Sequence, residues 1–240
     1  MTWETMIILS APAALVAVSY MVEALRAGPV APDRLDWAPD IPIRYVEVAG
    51  TNIRYIVVGR GPALVLLHTL RTQLDMFQKV IPALAKRFRV YALDYPGHGY
   101  SGIPEATYSS EFFVTRVAQF LDQLDIRDAV IVGESIGGSI ALLLAARHNP
   151  RVRAVVAINP YDYDGGRGIR RSSVLANILF GLNNVPVLGA TVTLVGVLSF
   201  TLSLFPRVSV RATDRTDSGC PKVVILPLNF GNLDPIDLNA

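Results

Sequence analysis

Beyond Ile43 the chain alternates short apolar runs with longer stretches whose apolar positions recur every three or four residues. IRYVEVAG, followed by Asn52 to Gly59, reads as two strands of a hairpin turning near Gly50 and Thr51. ALVLLH, residues 63–68, is apolar almost throughout, as in a strand buried on both faces. Thr72 to Arg87 has helical spacing, and FRVYALD (88–94) is again a strand. Ser109 to Leu124 predicts a helix with Ser110 as its N-cap. DAVIVG (128–133) predicts a strand, and Ser135 to His148 a helix stopped by Asn149-Pro150. RVRAVVAIN (151–159) adds one more strand. Such alternation predicts an α/β fold over residues 43–160: a mostly parallel sheet covered on both faces and joined by right-handed crossovers.

The flanks differ in character. The 18 residues Thr5–Val22 carry no charge, and a helix needs ~20 apolar residues to cross a bilayer. Trp3 and Tyr20 lie near the ends of the run, where amphipathic rings favour the headgroup region. Residues 1–27 therefore read as an apolar membrane-anchor helix. A signal peptide and a packed N-terminal helix are the rivals. The first is disfavoured by the acidic start Thr2-Trp3-Glu4 and by a poor cleavage site at Leu25-Arg26-Ala27. Residues 28–42, with four prolines, read as a linker. The 35 residues Ser172–Pro206 contain no Asp, Glu, Lys or Arg. The segment 161–206 is accordingly a second membrane segment, a hydrophobic lid or a core helix. Residues 207–240 form an atypical tail: RVSVRATDRTDSGCPK shows neither period, and VVILPL (223–228) is strand-like.

Composition narrows the function classes. A length of 240 residues suits one large domain or a domain with an appendage. With 51% hydrophobic residues and a mean hydropathy of +0.39, the chain is neither disordered nor collagen-like. A net charge of +2 argues against a nucleic-acid partner held by a basic field. Cys220 is the single cysteine, which excludes an intrachain disulfide and a multi-cysteine metal site. Neither a metal nor another cofactor is expected. The histidines are His68, His98 and His148.

Gly133-Glu134-Ser135-Ile136-Gly137 is a G-x-S-x-G motif that follows a predicted buried strand and opens a predicted helix. A strand-to-helix turn this tight leaves no room for a Cβ two positions before or after the serine, and Gly133 and Gly137 meet that need. Gly138 lets the helix approach the sheet. The serine then projects at a helix N-terminus, where free N–H groups favour an anion. A glycine-rich turn that binds phosphate is the alternative reading.

Here the chain resembles the α/β-hydrolase family over about Ile43 to Pro160. GESIGG resembles its nucleophile elbow, LLHTLRTQLDMF the segment after its third strand, and DYPGHGYS (94–101) its D-x-P-G-x-G-x-S loop. The resemblance implies that Ser135 attacks a carbonyl and that the N–H groups of Ile136 and Leu70 form the oxyanion hole. Thr69 stands where the family has glycine after the histidine. His68, His98 and Asp94 match positions that are usually structural.

Serine needs an adjacent base, and the family's chain order is Ser, then Asp or Glu, then His. His148 is the last histidine of the sequence. It lies 13 residues along the same predicted helix, about 20 Å from Ser135 at 1.5 Å per residue. His68, on the neighbouring strand, is the only plausible substitute. Asp234, in a loose G-x-x-D after VVILPL, is the candidate acid, with Asp162 and Asp164 as alternatives. The expectation is an α/β-hydrolase, incomplete at its C-terminal end. It acts on a small-molecule ester or related acyl bond through Ser135, it is impaired for want of a histidine, and it associates with membrane lipid. A non-catalytic membrane-associated binding protein or a non-functional fragment is the alternative.

Overall fold

A computed structural model describes residues 14–22, 24–25, 30–160 and 222–226. The chain divides into two compact units, Met1–Val30 with Asp162–Pro206, and Ala31–Tyr161 with Arg207–Ala240. In the first, residues 14–22 and 24–25 are helical (α1). Among the described residues no helix is long and apolar enough to cross a membrane. The expected transmembrane reading of Thr5–Val22 is thus not supported, and its first half lies outside the described residues.

The second unit is built on a seven-stranded sheet. Its strands are β3 (Arg44–Val48), β4 (Thr51–Val58), β5 (Ala63–Leu67), β6 (Arg89–Leu93), β7 (Ala129–Glu134), β8 (Val152–Ile158) and β9 (Lys222–Leu226), in the order β3-β4-β6-β5-β7-β8-β9. β3 and β4 pair antiparallel, as do β4 and β6. The run β6-β5-β7-β8-β9 is parallel throughout. The expected hairpin turns at Ala49 and Gly50, both with positive φ (46° and 77°). Two such residues suit the right-handed twist of the flanking strands. The expected linker holds a further antiparallel pair, β1 (Arg34–Leu35) and β2 (Ala38–Pro42), with Leu35 buried.

Alternate side chains of each inner strand serve opposite faces. Leu64 and Leu66 of β5 and Val90 and Ala92 of β6 join Leu35, Leu74, Phe77 and Ile81 in one core. Val65, Leu67, Tyr91, Leu93 and Ile131 face the other, with Phe113, Val117 and Phe120 of α3 (Ser110–Gln123) and Ile140, Ala141 and Leu144 of α4 (Ile136–Ala146). The N-cap of α3 is Ser109, one residue before the expected Ser110, and its side chain accepts from the Phe112 N–H.

The long helix expected over Thr72 to Arg87 is replaced by a 3-10 turn, Leu74–Phe77, and a four-residue helix α2, Ile81–Leu84. Pro82 supplies the reason. Inside a continuous helix it would lose one hydrogen bond and collide with the carbonyl four residues back, so the helix restarts with the proline in its first turn.

β5 lies between β6 and β7 in the sheet. The chain leaves β5 toward one neighbour and leaves β7 in the opposite direction. A crevice opens at the carboxyl ends of strands where connections part in this way. Of the three motifs singled out in the sequence, two follow β5 and β7, and DYPGHGYS follows β6.

Candidate active site

Ser135 caps the N-terminus of α4 at φ 53° and ψ −113°, a conformation that L-residues avoid. Its N–H donates to the Ile158 carbonyl of the neighbouring strand at 2.9 Å, and its own carbonyl accepts from Ser139 N–H at 3.1 Å. Close packing enforces this turn. A Cβ on Gly133 would lie 2.2 Å from the Gly137 carbonyl, and a Cβ on Gly137 would lie 2.2 Å from the Leu67 oxygen. On Gly138 it would crowd the Gly133 oxygen at 3.1 Å and Pro160 at 3.2 Å. All are backbone contacts apart from the Pro160 ring, so little can yield. The strand-to-helix turn expected from the motif is present, with Ser135 half-buried at its apex.

Ile136 is the first residue of α4, so its N–H has no carbonyl four residues back in the helix. Leu70 lies in the turn that follows β5. Because Leu67 of β5 pairs with Gly133 of β7, the segments carrying Leu70 and Ser135 leave the sheet at neighbouring points of the same end. Glu134, just before the serine, is half-buried, and burial pushes its carboxyl above the usual range.

His68 is fully buried. Its Nε2 accepts the Tyr95 N–H at 3.3 Å, and its Nδ1 lies 2.7 Å from the Thr69 carbonyl oxygen. A nitrogen facing an N–H can only accept, so the proton sits on Nδ1 and the ring is neutral. Burial lowers its pKa to about 4, against the pull of the Thr69 carbonyl and with a further push from His98. Both ring nitrogens are committed to the backbone, which fits the structural role expected of His68 and not the substitute-base alternative. His98 packs against the rings of His68, Tyr95 and Phe113, with Nδ1 3.2 Å from the Pro96 oxygen. His148 is exposed beyond the far end of α4. Asp234, Asp162 and Asp164 lie outside the described residues. Among the described residues no group of His, Cys, Asp and Glu is arranged to hold a metal.

Two features were not read from the sequence. One is Thr72, whose Oγ1 donates to the Thr69 oxygen at 2.9 Å. The other is a buried ionic hub. Asp94 accepts from Leu74 N–H at 2.7 Å, Tyr100 N–H at 3.0 Å and Arg54 at 3.1 Å, and Arg54 also reaches Asp75 at 3.2 Å. Burial pushes the Asp94 carboxyl up, against the pull of those three donors. Arg54 was legible in one respect: it interrupts the otherwise apolar IRYIVV of β4, and a charge in such a run requires a buried partner.

A G-x-S-x-G serine at a tight strand-to-helix turn of a mostly parallel sheet is the structural context of a nucleophile elbow. The core of this chain is similar to the α/β hydrolase fold family, whose profile matches residues 62–176. It is 39% identical over 117 residues to a 2-hydroxymuconate semialdehyde hydrolase of Pseudomonas sp. strain CF600, covering 47% of this chain and 41% of that one. It is 35% identical over 136 residues to bifunctional epoxide hydrolase 2 of Rattus norvegicus, covering 55% and 24%. Among solved structures it is similar to a membrane phospholipase A described as a bacterial virulence factor, at 30% identity and a TM-score of 0.50, covering 65% of this chain and 48% of that one. The chain thus spans less than half the length of each of these proteins.

Proposed function

We propose that this chain carries the nucleophile half of a serine hydrolase acting on an ester or related acyl bond. The observation that carries the reading is the backbone of Ser135, held at positive φ by glycines that have no room for a Cβ. Strain of this kind persists where the surrounding structure over-determines it, and it clusters at active sites. Ser135 attacks the acyl carbon, and the N–H groups of Ile136 and Leu70 receive the oxyanion, each such donor being worth ~2.7–4 kcal/mol when aimed at the developing charge.

Within these 240 residues no imidazole is placed to activate Ser135. His68 is committed to the backbone, His98 is packed among aromatic rings, and His148 is at the far end of α4. The chain as it stands therefore turns over slowly. Removing a triad member leaves ~10³–10⁴-fold catalysis over water in proteases of this chemistry. That histidine count also supports the second reading, a non-catalytic binding protein.

The substrate is an apolar acyl compound at or near a membrane. The name of the phospholipase neighbour supports this. So does α1, where Leu15, Val18, Val22 and Leu25 are all exposed and their spacing of three, four and three residues sets them along one helix face.

Purified full chain assayed on a short-chain nitrophenyl ester tests the reading, with Ser135→Ala as control. Slow turnover that disappears in Ser135→Ala is expected. Brisk turnover lost in Ser135→Ala refutes the impairment. Turnover that Ser135→Ala leaves unchanged refutes the nucleophile.

A further inference from the structure

We propose that His68 and Thr72 are positioning residues that aim the Leu70 N–H by gripping the carbonyl of the same peptide unit. Its catalytic meaning rests on the reading of Leu70 as an oxyanion donor; its geometry does not. The Thr69 C=O and the Leu70 N–H belong to one peptide plane. That bond is trans, and in a trans peptide the two groups point in opposite directions. Fixing one fixes the other.

The Thr69 oxygen has two donors, His68 Nδ1 at 2.7 Å and Thr72 Oγ1 at 2.9 Å. His68 is able to donate there because its Nε2 already accepts the Tyr95 N–H. That same bond ties the ring to the segment following β6, where Tyr95 stacks on it at 4.2 Å between ring centroids. β5 has β6 on one side and β7 on the other. With the Thr69 carbonyl drawn toward the ring, the Leu70 N–H is directed away from it, toward the side on which β7 delivers Ser135. The device answers a local problem. Thr69 stands at the position where the resembled family has glycine, and Arg71, two residues on, already takes φ 60°. The two donors hold the 69–70 peptide in its observed orientation.

The first measurement reads the peptide directly. Backbone carbon and nitrogen chemical shifts of Thr69 and Leu70 are compared in the full-length chain, Thr72→Val, His68→Asn and the double variant His68→Ala/Thr72→Val. Thr72 is half-buried and valine matches threonine in shape, so Thr72→Val is expected to fold. It is expected to move the Thr69 carbonyl carbon upfield by removing one donor. His68→Asn keeps an N–H near the position of Nδ1 and is expected to hold both residues' shifts. The double variant displaces both while β7 and α4 resonances stay in place. A Thr69 carbonyl that does not respond to Thr72→Val overturns the proposal.

The second measurement is Ser135-dependent turnover of a short-chain nitrophenyl ester. Thr72→Val lowers kcat about tenfold at unchanged KM, a partial loss of one oxyanion donor, and Thr72→Ser restores it. Ser135-dependent turnover indifferent to Thr72→Val overturns the catalytic role. If no turnover depends on Ser135, the hydrolase reading fails, while the chemical shifts still decide whether His68 and Thr72 position the peptide.

Discussion

Ser135 occupies backbone angles that cost an L-residue about 1–3 kcal/mol, and it is held there by its neighbours rather than by its own side chain, which makes no cap hydrogen bond. Ser135→Gly is therefore expected to raise the urea midpoint, by about 1 kcal/mol of stability, while abolishing any Ser135-dependent turnover. Gly137→Ala does the reverse. The added Cβ meets the Leu67 carbonyl at 2.2 Å, and overpacking against backbone is expected to cost more than ~3 kcal/mol. Both are read from equilibrium urea curves. His68 adds a pH dependence. Its pKa falls from 6.5 to about 4 on folding, so the unfolded chain binds a proton that the folded chain refuses. The neutral ring imposes no penalty above pH 6.5, and stability is lost as pH falls from 6.5 through about 4. The loss approaches ~3 kcal/mol, at 1.36 kcal/mol per pKa unit. Unfolding curves at pH 7 and pH 4.5 should diverge more for the native chain than for His68→Gln, which cannot titrate.

Among the elements, Asp94 is where three of them meet. Its carboxylate takes a guanidinium from β4, the N–H that opens the 3-10 turn, and the N–H of Tyr100 in the loop beyond β6. Asp94→Ala leaves Arg54, itself 1% exposed, without its closest carboxylate. Breaking a buried pair in this way costs about 3–5 kcal/mol, and the segments following β5 and β6 are expected to loosen together. Hydrogen exchange should then rise at Leu74 and Tyr100. Ser109→Ala is the mild counterpart. It removes one cap from α3, at about 1 kcal/mol, and is expected to leave exchange at Leu74 and Tyr100 unchanged.

For the whole molecule, the sheet places the candidate site and the first compact unit bears on location. The membrane proposal predicts that the full chain partitions with lipid vesicles and that removing residues 1–27 releases it to the soluble fraction. Retention by carbonate-washed membranes is the measurement, and a full-length chain that never remains with the membrane pellet would reject the proposal.

Much of the sheet could be read directly because burial on both faces writes continuous apolar runs such as ALVLL and AVIVG. The elbow was legible because a Cβ-free position leaves glycine as the only residue type that fits. Local sequence also determined the chemistry on offer: a serine between glycines at a strand-to-helix turn, and three histidines. What the chain could not express locally were the partners of those groups. His68 on a strand end next to the nucleophile strand had a base's address, but a bond to Tyr95, 27 residues on, turned its Nε2 away from that task. Thr72 is a polar residue in a polar loop that no period or motif marks, and the motif that singles out Asp94 does not say that Arg54 and the Leu74 N–H will meet it. The break of the expected 72–87 helix was visible in Pro82, yet where the pieces lie depended on Leu74, Phe77 and Ile81 finding one apolar face of the sheet. Periodicity and steric exclusion act within a few residues and are written in the sequence. Hydrogen-bond partners are chosen by which strand ends are brought side by side, and only the tertiary structure decides that.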